Sequence, residues 1–261
     1  INNLNRMDFS NRVVIVMSVF NESGKVSNAI GSIINQNYKL WNLVIVDDGS
    51  TDDTNKIVQS YVDKHDNIEL LVNKINCGLA YSLNKAISNS NSEYIARMDA
   101  DDVALPDRLE NQIKYLNEHS EIDVLGTGAE VINTNSSKLI VFKPENHNTI
   151  LSSIEKINPF FHSSVMMRRN FVESLGGYDA RCLRAQDYDL WLRGVDKFKY
   201  HNLQEVLMTY SSRNQSFKSI YYGFRVRVIN AYRRDRAVIG SLKAALVFVY
   251  GLWVKAVRSF K

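Results

Sequence analysis

Short apolar runs alternate with stretches of helical periodicity along the first half of the chain. The runs are rich in β-branched residues, which is typical of strands buried in a parallel sheet, and they cover residues 12–20, 43–46, 68–72 and 94–98. Between them, apolar residues recur every three or four positions, which indicates amphipathic helices over 26–34, 57–61, 78–87 and 109–116. The alternation predicts an α/β fold with a mostly parallel sheet flanked by helices.

The pattern loosens after Gly126 and predicts shorter elements. We expect short strands over Leu139–Phe142 and Ser163–Met167, a turn at Gly176–Asp179, a helix from Gln186 and a last strand over Val206–Ser211. From residue 215 onward the sequence is typical of amphipathic helix. The predicted organisation is one catalytic domain over residues 1–214 and a helical extension over 215–261.

Polar clusters follow four of the predicted strands at the point where each strand ends. They are Asn21–Glu22, Asp47–Asp48, Asn73–Gly78 and Asp99–Asp102. Ligands of open α/β sheets bind at the carboxyl ends of the strands. The convergence therefore predicts a ligand site at this edge of the sheet.

Three carboxylates, Asp99, Asp101 and Asp102, directly follow the fourth strand. Like charges at this spacing repel one another unless a cation joins them, and an Asp-x-Asp pair offers the oxygen ligands that a hard divalent ion binds. We expect a site for a metal ion and a diphosphate. A simpler alternative is that Asp102 or Asp107 caps the helix beginning near Pro106; it accounts for one carboxylate but not for three.

Composition narrows the class of protein. The 261 residues suit one large α/β domain, alone or with an appendage, and two cysteines give no disulfide framework. This cysteine content is typical of a reducing compartment, and the N-terminal residues lack the pattern of a signal peptide. No zinc-binding Cys/His pattern, Walker loop or Ser/His/Asp triad is present.

Charge is distributed unevenly along the chain. Of the 32 Lys and Arg residues, eleven lie from Arg213 onward, with one of the 28 acidic residues, Asp235. An extension with a net charge of about +10 favours an anionic surface as its partner. Nucleic acid is not expected, because no recognition module is present.

The extension also has an apolar stripe at helical spacing, made of Leu242, Leu246, Val249, Trp253, Val257 and Phe260. Its uncharged run, 244–254, is shorter than the roughly 20 residues that cross a bilayer. The stripe fits a helix lying in the membrane interface. The alternative is a helix packed on the domain or on a second copy of the chain.

Seven motifs occur in an order and spacing that resemble the family 2 glycosyltransferases over about residues 12–213. They are Ser18–Glu22, Val46–Asp52, Asn76–Leu79, Met98–Asp102, Phe161–Ser164, Gly176–Asp179 and Gln186–Arg193. The resemblance implies the Rossmann-like GT-A fold and transfer of a sugar from a nucleotide-sugar donor with inversion of the anomeric centre. Many members have Pro in the first motif where this chain has Ser18.

Position by position, the resemblance implies a nucleotide-binding set. Asp48 matches the aspartate that binds uracil, Glu22 the acidic residue at the nucleoside, and Asp99 the aspartate beside the ribose. Gly78, within the Asn76–Leu79 motif, belongs to the same set. The residues alone leave alternatives, because Asp47 and Asp48 are also common turn formers and Glu22 could pair with Lys25.

The resemblance also implies the groups of the chemical step. Asp101 matches the aspartate that holds Mn²⁺ or Mg²⁺ on the diphosphate, and Asp187 matches the catalytic base. The usual Glu-Asp pair is Gln186-Asp187 here, and because Gln accepts no proton, the base role falls on Asp187 alone. A plain helix N-cap is the alternative for Asp187.

Gln186 and three further residues are candidate substrate contacts. His162 could touch the diphosphate, metal or acceptor, or be a buried, hydrogen-bonded histidine. Arg97 could reach the substrate, although a structural ion pair with the carboxylates is favoured. Tyr178 could stack on a sugar ring or belong to a simple turn.

The sequence therefore predicts a UDP-sugar-dependent glycosyltransferase. Its expected acceptor is a glycan or lipid-linked saccharide, as in bacterial surface-polysaccharide synthesis at the cytoplasmic face of the membrane. A homo-oligomer is compatible with the sequence. One alternative is a nucleotidyltransferase, but Asn21–Gly24 does not resemble its Gly-rich phosphate loop. The other is a non-catalytic module that binds nucleotide or glycan.

Overall fold

A computed structural model of the chain describes residues 12–212, 217–233, 247–249 and 251. Its first half contains the predicted alternation of strands and helices. The elements are β1 Val13–Val19, α1 Val26–Ile34, β2 Trp41–Asp47, α2 Thr54–Val62, β3 Ile68–Val72, α3 Leu79–Ser88 and β4 Tyr94–Arg97. Their strands lie in the order β3-β2-β1-β4, and all three pairs are parallel.

Both faces of this half-sheet are buried. Val13 and Ile15 point into one apolar core, whereas Val14 and Val16 point into the other, and none is more than 2% exposed. A strand with apolar neighbours on both sides has no polar face, because its alternate side chains enter opposite layers. This burial explains why β1 is a continuous apolar run.

The second half extends the same sheet. Its elements are β5 Val103–Ala104, α4 Arg108–Glu118, β6 Val124–Ile132, β7 Lys138–Val141, α5 His147–Ser153, a 3-10 turn His162–Ser164, β8 Met166–Arg168, α6 Arg169–Ser174, α7 Gln186–Gly194, β9 Tyr200–Ser211 and α8 Phe217–Arg233. The strand order continues β4-β8-β6-β9-β5, with β7 beside β6. Here β6 and β9 are parallel and the other pairs are antiparallel. The sheet is thus parallel in its first half and mixed in its second.

Two predicted strand limits are corrected. Residues 163 and 164 lie in the 3-10 turn, and β8 begins at Met166. The hydroxyl of Ser164 donates to the carbonyl of Phe161, a local bond that competes with the strand ladder. The last strand begins at Tyr200 rather than Val206, and its first residues were missed because polar side chains interrupt the apolar pattern.

Helix α8, the first part of the basic extension, packs against α7. Val226 is 2% exposed and lies in the apolar core, and the Asn230 amide donates to the Asp189 carboxylate at 2.9 Å. The first part of the extension is therefore packed on the domain. Within the described ranges, no helix is long and apolar enough to cross a membrane. Of the predicted apolar stripe only Val249 is described, and it is exposed; the other five residues lie outside the described ranges.

We expect Asp189→Ala to lower the free energy of unfolding by about 3 kcal/mol. Asp189 is 1% exposed and accepts hydrogen bonds from Arg193, Arg233 and Asn230 at 2.7, 3.2 and 2.9 Å. Removing one partner of a buried ionic network leaves the other charges uncompensated. Urea denaturation measures the change, with exposed Asp66→Ala as the control. A loss no larger than that of the control would contradict the anchoring role of Asp189.

Candidate functional site

The polar residues after β1, β2, β3 and β4 meet at one edge of the sheet, as predicted. The strand register places Val19 beside Asp47 and Asp47 beside Val72. The amide of Asp48 donates to the carbonyl of Val19 at 2.9 Å, which ties the ends of β1 and β2 together. This edge is the candidate site.

Asp48 anchors the loop that follows β3. Its Oδ1 accepts from the Asn73 amide, the Cys77 backbone N–H and the Ser82 hydroxyl at 2.7, 2.9 and 3.0 Å, and its Oδ2 accepts from the Gly78 N–H at 2.8 Å. The carboxylate is nearly fully buried. The four hydrogen bonds that this one carboxylate accepts fix the loop against the end of β2. A nucleoside pocket is expected there.

The turn after β2 requires glycine at position 49. Gly49 has φ +81°, and a Cβ there would lie 2.8 Å from the carbonyl carbon of Ile75. Asp47 accepts from the Ser50 N–H and the Asn55 amide, both at 2.9 Å. Asp47 thus fits the turn-former alternative. The turn and the β3 loop lie in direct contact.

The loop after β1 forms another wall of the site. Asn21 has φ +54°, and its side chain accepts from the Thr51 N–H at 2.9 Å. The backbone N–H of Glu22 donates to the Thr54 hydroxyl at 2.8 Å. The ammonium of Lys25 lies 3.7 Å from the Asp101 carboxylate, at the end of β4. The Glu22 backbone is therefore fixed beside the β2 turn, and Lys25 brings a positive charge to Asp101.

The three carboxylates after β4 have different environments. The side chains of Asp99 and Asp101 are 30% and 11% exposed. Asp102 is 1% exposed; it accepts from the Ser163 hydroxyl at 2.5 Å and the Ser211 N–H at 2.7 Å. Burial, together with the charge of Asp99, raises the pKa of Asp102 to about 7. Asp99 and Asp101 are available to a ligand, whereas Asp102 is structural.

The capping alternative for these carboxylates is wrong. Asp107 occupies the N-cap position of α4, but its side chain makes no capping hydrogen bond and instead accepts from the Asn37 amide at 2.5 Å. Asp102 lies further upstream and bonds to the Ser163 hydroxyl and the Ser211 N–H. Neither carboxylate caps the helix.

Arg97 is the buried ion-pair partner of Asp99. Its guanidinium is 0% exposed and donates to Asp99 and to the Met98 carbonyl. A fully buried guanidinium in these contacts does not face a substrate, so Arg97 as a substrate contact is corrected to the structural alternative. Arg97 at Asp99 and Lys25 at Asp101 partly offset the repulsion within the cluster.

The carboxylate of Asp187 lies near the start of α7. The N-cap position is Ala185, at φ +57°, so the plain N-cap alternative for Asp187 is wrong. The Asn158 amide donates to Asp187 Oδ2 at 2.6 Å. The preceding Gln186 is 7% exposed, which argues against an extensive substrate contact by its side chain.

Lys143 lies on the same side of the site. Its ammonium donates to the Asn158 carbonyl at 3.2 Å and lies 4.7 Å from the centre of the Phe161 ring. Burial lowers its pKa, and the charge of Asp187 opposes that shift. Lys143 thus provides a positive charge near Asp187.

His162 and Tyr178 form a buried pair. The imidazole Nε2 lies 2.9 Å from the Tyr178 hydroxyl. Burial, together with the charge of Arg97, lowers the pKa of His162 to about 3, so the imidazole is neutral. Tyr178 is 2% exposed, which contradicts the expectation that it stacks on a sugar ring. The pair packs beneath the site. Of the two side chains, only that of His162 is partly exposed.

Tyr210, at the end of β9, interacts electrostatically with the carboxylates after β4 and with Asp187. Its ring packs 5.1 Å from that of Phe161. Burial and the charges of Asp99, Asp102 and Asp187 raise its pKa. The sequence motifs did not contain Tyr210, Asn158 or Lys143, and no spacing signal links them to the site.

The oxygen donors at the end of β4 fit a divalent metal ion. Asp99 and Asp101 present only carboxylate oxygens, which suit Mg²⁺ or Mn²⁺. A bound ion would take the place of the Lys25 ammonium, which lies 3.7 Å from Asp101. A nucleotide diphosphate and its metal ion are therefore compatible with these residues.

Comparison with known proteins identifies the family. Residues 14–176 match the family described as "Glycosyl transferase family 2". The "Putative glycosyltransferase EpsE" of Bacillus subtilis is 36% identical over 219 residues, which cover 81% of this chain and 77% of that protein. The chain belongs to glycosyltransferase family 2. The matched region ends before α7 and so does not include Asp187.

A second relative spans nearly the whole chain. The "O-antigen biosynthesis glycosyltransferase WbnJ" of Escherichia coli is 29% identical over 247 residues, which cover 92% of this chain and 96% of that protein. Among solved structures, residues 1–349 of TarS from S. aureus in complex with UDP-GlcNAc have a TM-score of 0.72 at 18% identity, covering 92% of this chain and 71% of that one.

A second solved structure carries a metal ion. The mannosyltransferase PcManGT from Pyrobaculum calidifontis, in complex with GDP-Man and Mn²⁺, has a TM-score of 0.65 at 17% identity, covering 96% of this chain and 81% of that one. These likenesses confirm the predicted GT-A fold. The family favours glycosyl transfer over the nucleotidyltransferase alternative.

Proposed function

We propose that this protein is a metal-dependent, inverting glycosyltransferase. It would move a sugar from a UDP-sugar to a hydroxyl of a glycan or lipid-linked glycan. One observation carries the proposal: the segment Asn158–Ser163 bonds to Asp187 at one end, 2.6 Å, and to Asp102 at the other, 2.5 Å. Five residue steps span at most about 18 Å. This link supports placing the candidate base and the candidate metal site in one cleft, as does Tyr210, on which the charges of Asp187, Asp99 and Asp101 all act.

The donor side of the cleft is formed by Asp101, Asp99 and the loops after β1 to β3. Asp101 would hold Mn²⁺ or Mg²⁺, which, when bound, neutralises the diphosphate leaving group. Asp99 is held by Arg97 at the position expected for the ribose. The ammonium of Lys25 lies 3.7 Å from Asp101. From there it would form an ion pair with the diphosphate.

The acceptor side depends on Asp187. Its carboxylate would take the proton of the acceptor hydroxyl as the new bond forms between that oxygen and the anomeric carbon. The anomeric C–O bond breaks, its electron pair leaves with the diphosphate, and one displacement inverts the centre. Because Asn158 occupies Oδ2 of Asp187, Oδ1 is the oxygen left to face the acceptor hydroxyl.

We assign the nucleoside to the pocket beside Asp48, Glu22 and Gly78. The donor nucleotides of the two fold neighbours differ, since TarS is in complex with UDP-GlcNAc and PcManGT with GDP-Man. UDP is proposed because Oδ2 of Asp48 accepts one hydrogen bond, from the Gly78 N–H, and keeps a lone pair that suits the imide N–H of uracil. Calorimetry with Mn²⁺ tests this choice. We expect UDP to bind at least tenfold more tightly than GDP; equal affinities would contradict it.

We propose synthesis of a bacterial surface polysaccharide as the setting. The similarity to WbnJ, an O-antigen biosynthesis glycosyltransferase, supports this setting. We place the enzyme at the inner face of the cell membrane, with the basic extension, residues 215–261, on anionic headgroups. Within that extension α8 packs on the domain, so the membrane contact is assigned to residues beyond it.

We expect Asn158→Ala to lower kcat about tenfold without changing the affinity for UDP. The variant loses the 2.6 Å hydrogen bond that orients Asp187, so the base keeps its charge but not its position. Asn158→Asp should be worse, because it places a second carboxylate beside the base. Steady-state kinetics and UDP titration measure both effects, with exposed Asn148→Ala on α5 as the control. Wild-type kcat in both variants would reject the positioning role.

A further inference from the structure

We propose that a second cleft, between α7 and α8, binds the phosphate or diphosphate group of the acceptor. This inference rests on the proposed function and assigns a lipid-linked acceptor to the same enzyme. The cleft has a volume of about 160 Å³ and is bounded by the turn before α7 and one face of α8. Its charged lining consists of Asp179, Arg181, Arg184, Asp189, Arg225 and Arg233.

The charge of the cleft suits an anion. Four guanidinium groups face two carboxylates, which leaves a net charge of +2. Asp179 accepts from Arg181 at 2.9 and 2.8 Å and from Arg233 at 3.3 Å. Asp189 is bonded to Arg193 and Arg233. The lining therefore carries more positive than negative charge toward an entering ligand.

A metal ion is a poorer fit for the same cleft. Asp179, Cys182 and Asp189 could place three ligand atoms within 4.8 Å of one another. However, a cation would have to displace Arg181 and Arg233 from the carboxylates. Burial raises the pKa of the Cys182 thiol to about 11, so the thiolate that a metal needs is disfavoured.

The cleft also has apolar side chains in its lining. Tyr222, Val226 and Ile229 of α8 line it beside the arginines. Guanidinium groups bind phosphate oxygens through paired, charge-assisted hydrogen bonds. A cationic cleft with apolar walls therefore fits a phosphate ester whose other substituent is a hydrocarbon chain.

The position of the cleft relates it to the candidate base. Asp189 follows Asp187 by two residues in α7, so their Cα atoms are about 5 Å apart and their side chains leave the helix on roughly opposite sides. Tyr178, next to Asp179, contacts His162 in the main site. An acceptor that passes over the first turn of α7 could place a hydroxyl at Asp187 and a phosphate in the cleft, with one or two sugar rings between them.

Calorimetry with decyl diphosphate tests the assignment, using the full chain with UDP and Mn²⁺ present to fill the donor site. We expect Arg184→Gln and Arg225→Gln each to weaken binding three- to fivefold, and the double variant at least tenfold. The affinity for UDP should not change. Lys114→Gln, an exposed charge removal on α4, is the matched control and should bind decyl diphosphate as the wild type does.

Three results would overturn the proposal: no binding of decyl diphosphate to the wild type, equal binding by the double variant, or equal binding of neutral decyl glucoside. Inorganic diphosphate binding as tightly as decyl diphosphate would overturn the assignment to a lipid-linked acceptor. A separate UDP titration distinguishes failure of the second-cleft proposal from failure of the proposed function. If UDP binds but decyl diphosphate does not, the second cleft alone is rejected; if UDP does not bind, the proposed function is rejected.

Discussion

Replacing Asp187 with Asn is expected to abolish sugar transfer while leaving the affinity for UDP unchanged. The amide has nearly the shape of the carboxylate and can still accept from Asn158 through its carbonyl oxygen. It cannot take the proton of the acceptor hydroxyl. General-base catalysis typically contributes about 10²–10⁴-fold, so we expect kcat to fall by at least about 10²-fold.

The matched control for this variant is Asp66→Asn, an exposed aspartate between α2 and β3. It removes one carboxylate far from α7 and should keep the wild-type kcat. Transfer at the wild-type rate by the Asp187→Asn variant would reject the base assignment. Loss of UDP binding in that variant would instead show that Asp187 acts on the donor side.

Replacing Asp101 with Ala is expected to remove the dependence of UDP binding on metal. Asp101 is the partly exposed carboxylate at the end of β4, and Lys25 is the cation beside it at 3.7 Å. With Mn²⁺ present, we expect the variant to bind UDP about 10²-fold more weakly than the wild type, because the ion that bridges protein and diphosphate is lost.

The control for Asp101→Ala is the same titration in EDTA. There the wild type and the variant should have similar, weak affinities for UDP, because neither has a metal ion to hold. A variant whose affinity for UDP still rises on addition of Mn²⁺ would contradict the role of Asp101. Unchanged thermal unfolding would show that the loss is not a folding defect.

The parallel half of the fold could be predicted because its strands are buried on both faces. Residues 13–17 of β1 and 43–46 of β2 are continuous apolar runs for that reason. The second half could not be predicted as well, since polar residues, one of them buried, interrupt the apolar pattern at the start of β9. Asn202, for example, is fully buried because its amide donates to the carbonyls of Pro144 and Pro159, at 2.7 and 3.1 Å. Such long-range bonds leave no periodic signal in the sequence.

The candidate site shows a similar division. The motifs placed Asp48, Asp99 and Asp101 at the ends of β2 and β4, the two strands on either side of β1, because a strand end fixes where the next side chains lie. They did not reveal which side chains are buried. Arg97 and Tyr178 were expected as possible contacts, yet tertiary packing encloses both. Asn158 reaches Asp187 across 29 residues of sequence, a contact that only the folded chain reveals.

The most direct test of the account measures release of nucleoside diphosphate from UDP-, GDP- and dTDP-sugars, in Mn²⁺ and in EDTA, with Asp101→Ala as the control. We predict slow hydrolysis of one UDP-sugar that requires Mn²⁺ and is absent in the variant. Release of diphosphate that is equally fast in EDTA or in the Asp101→Ala variant would contradict a metal-dependent glycosyltransferase.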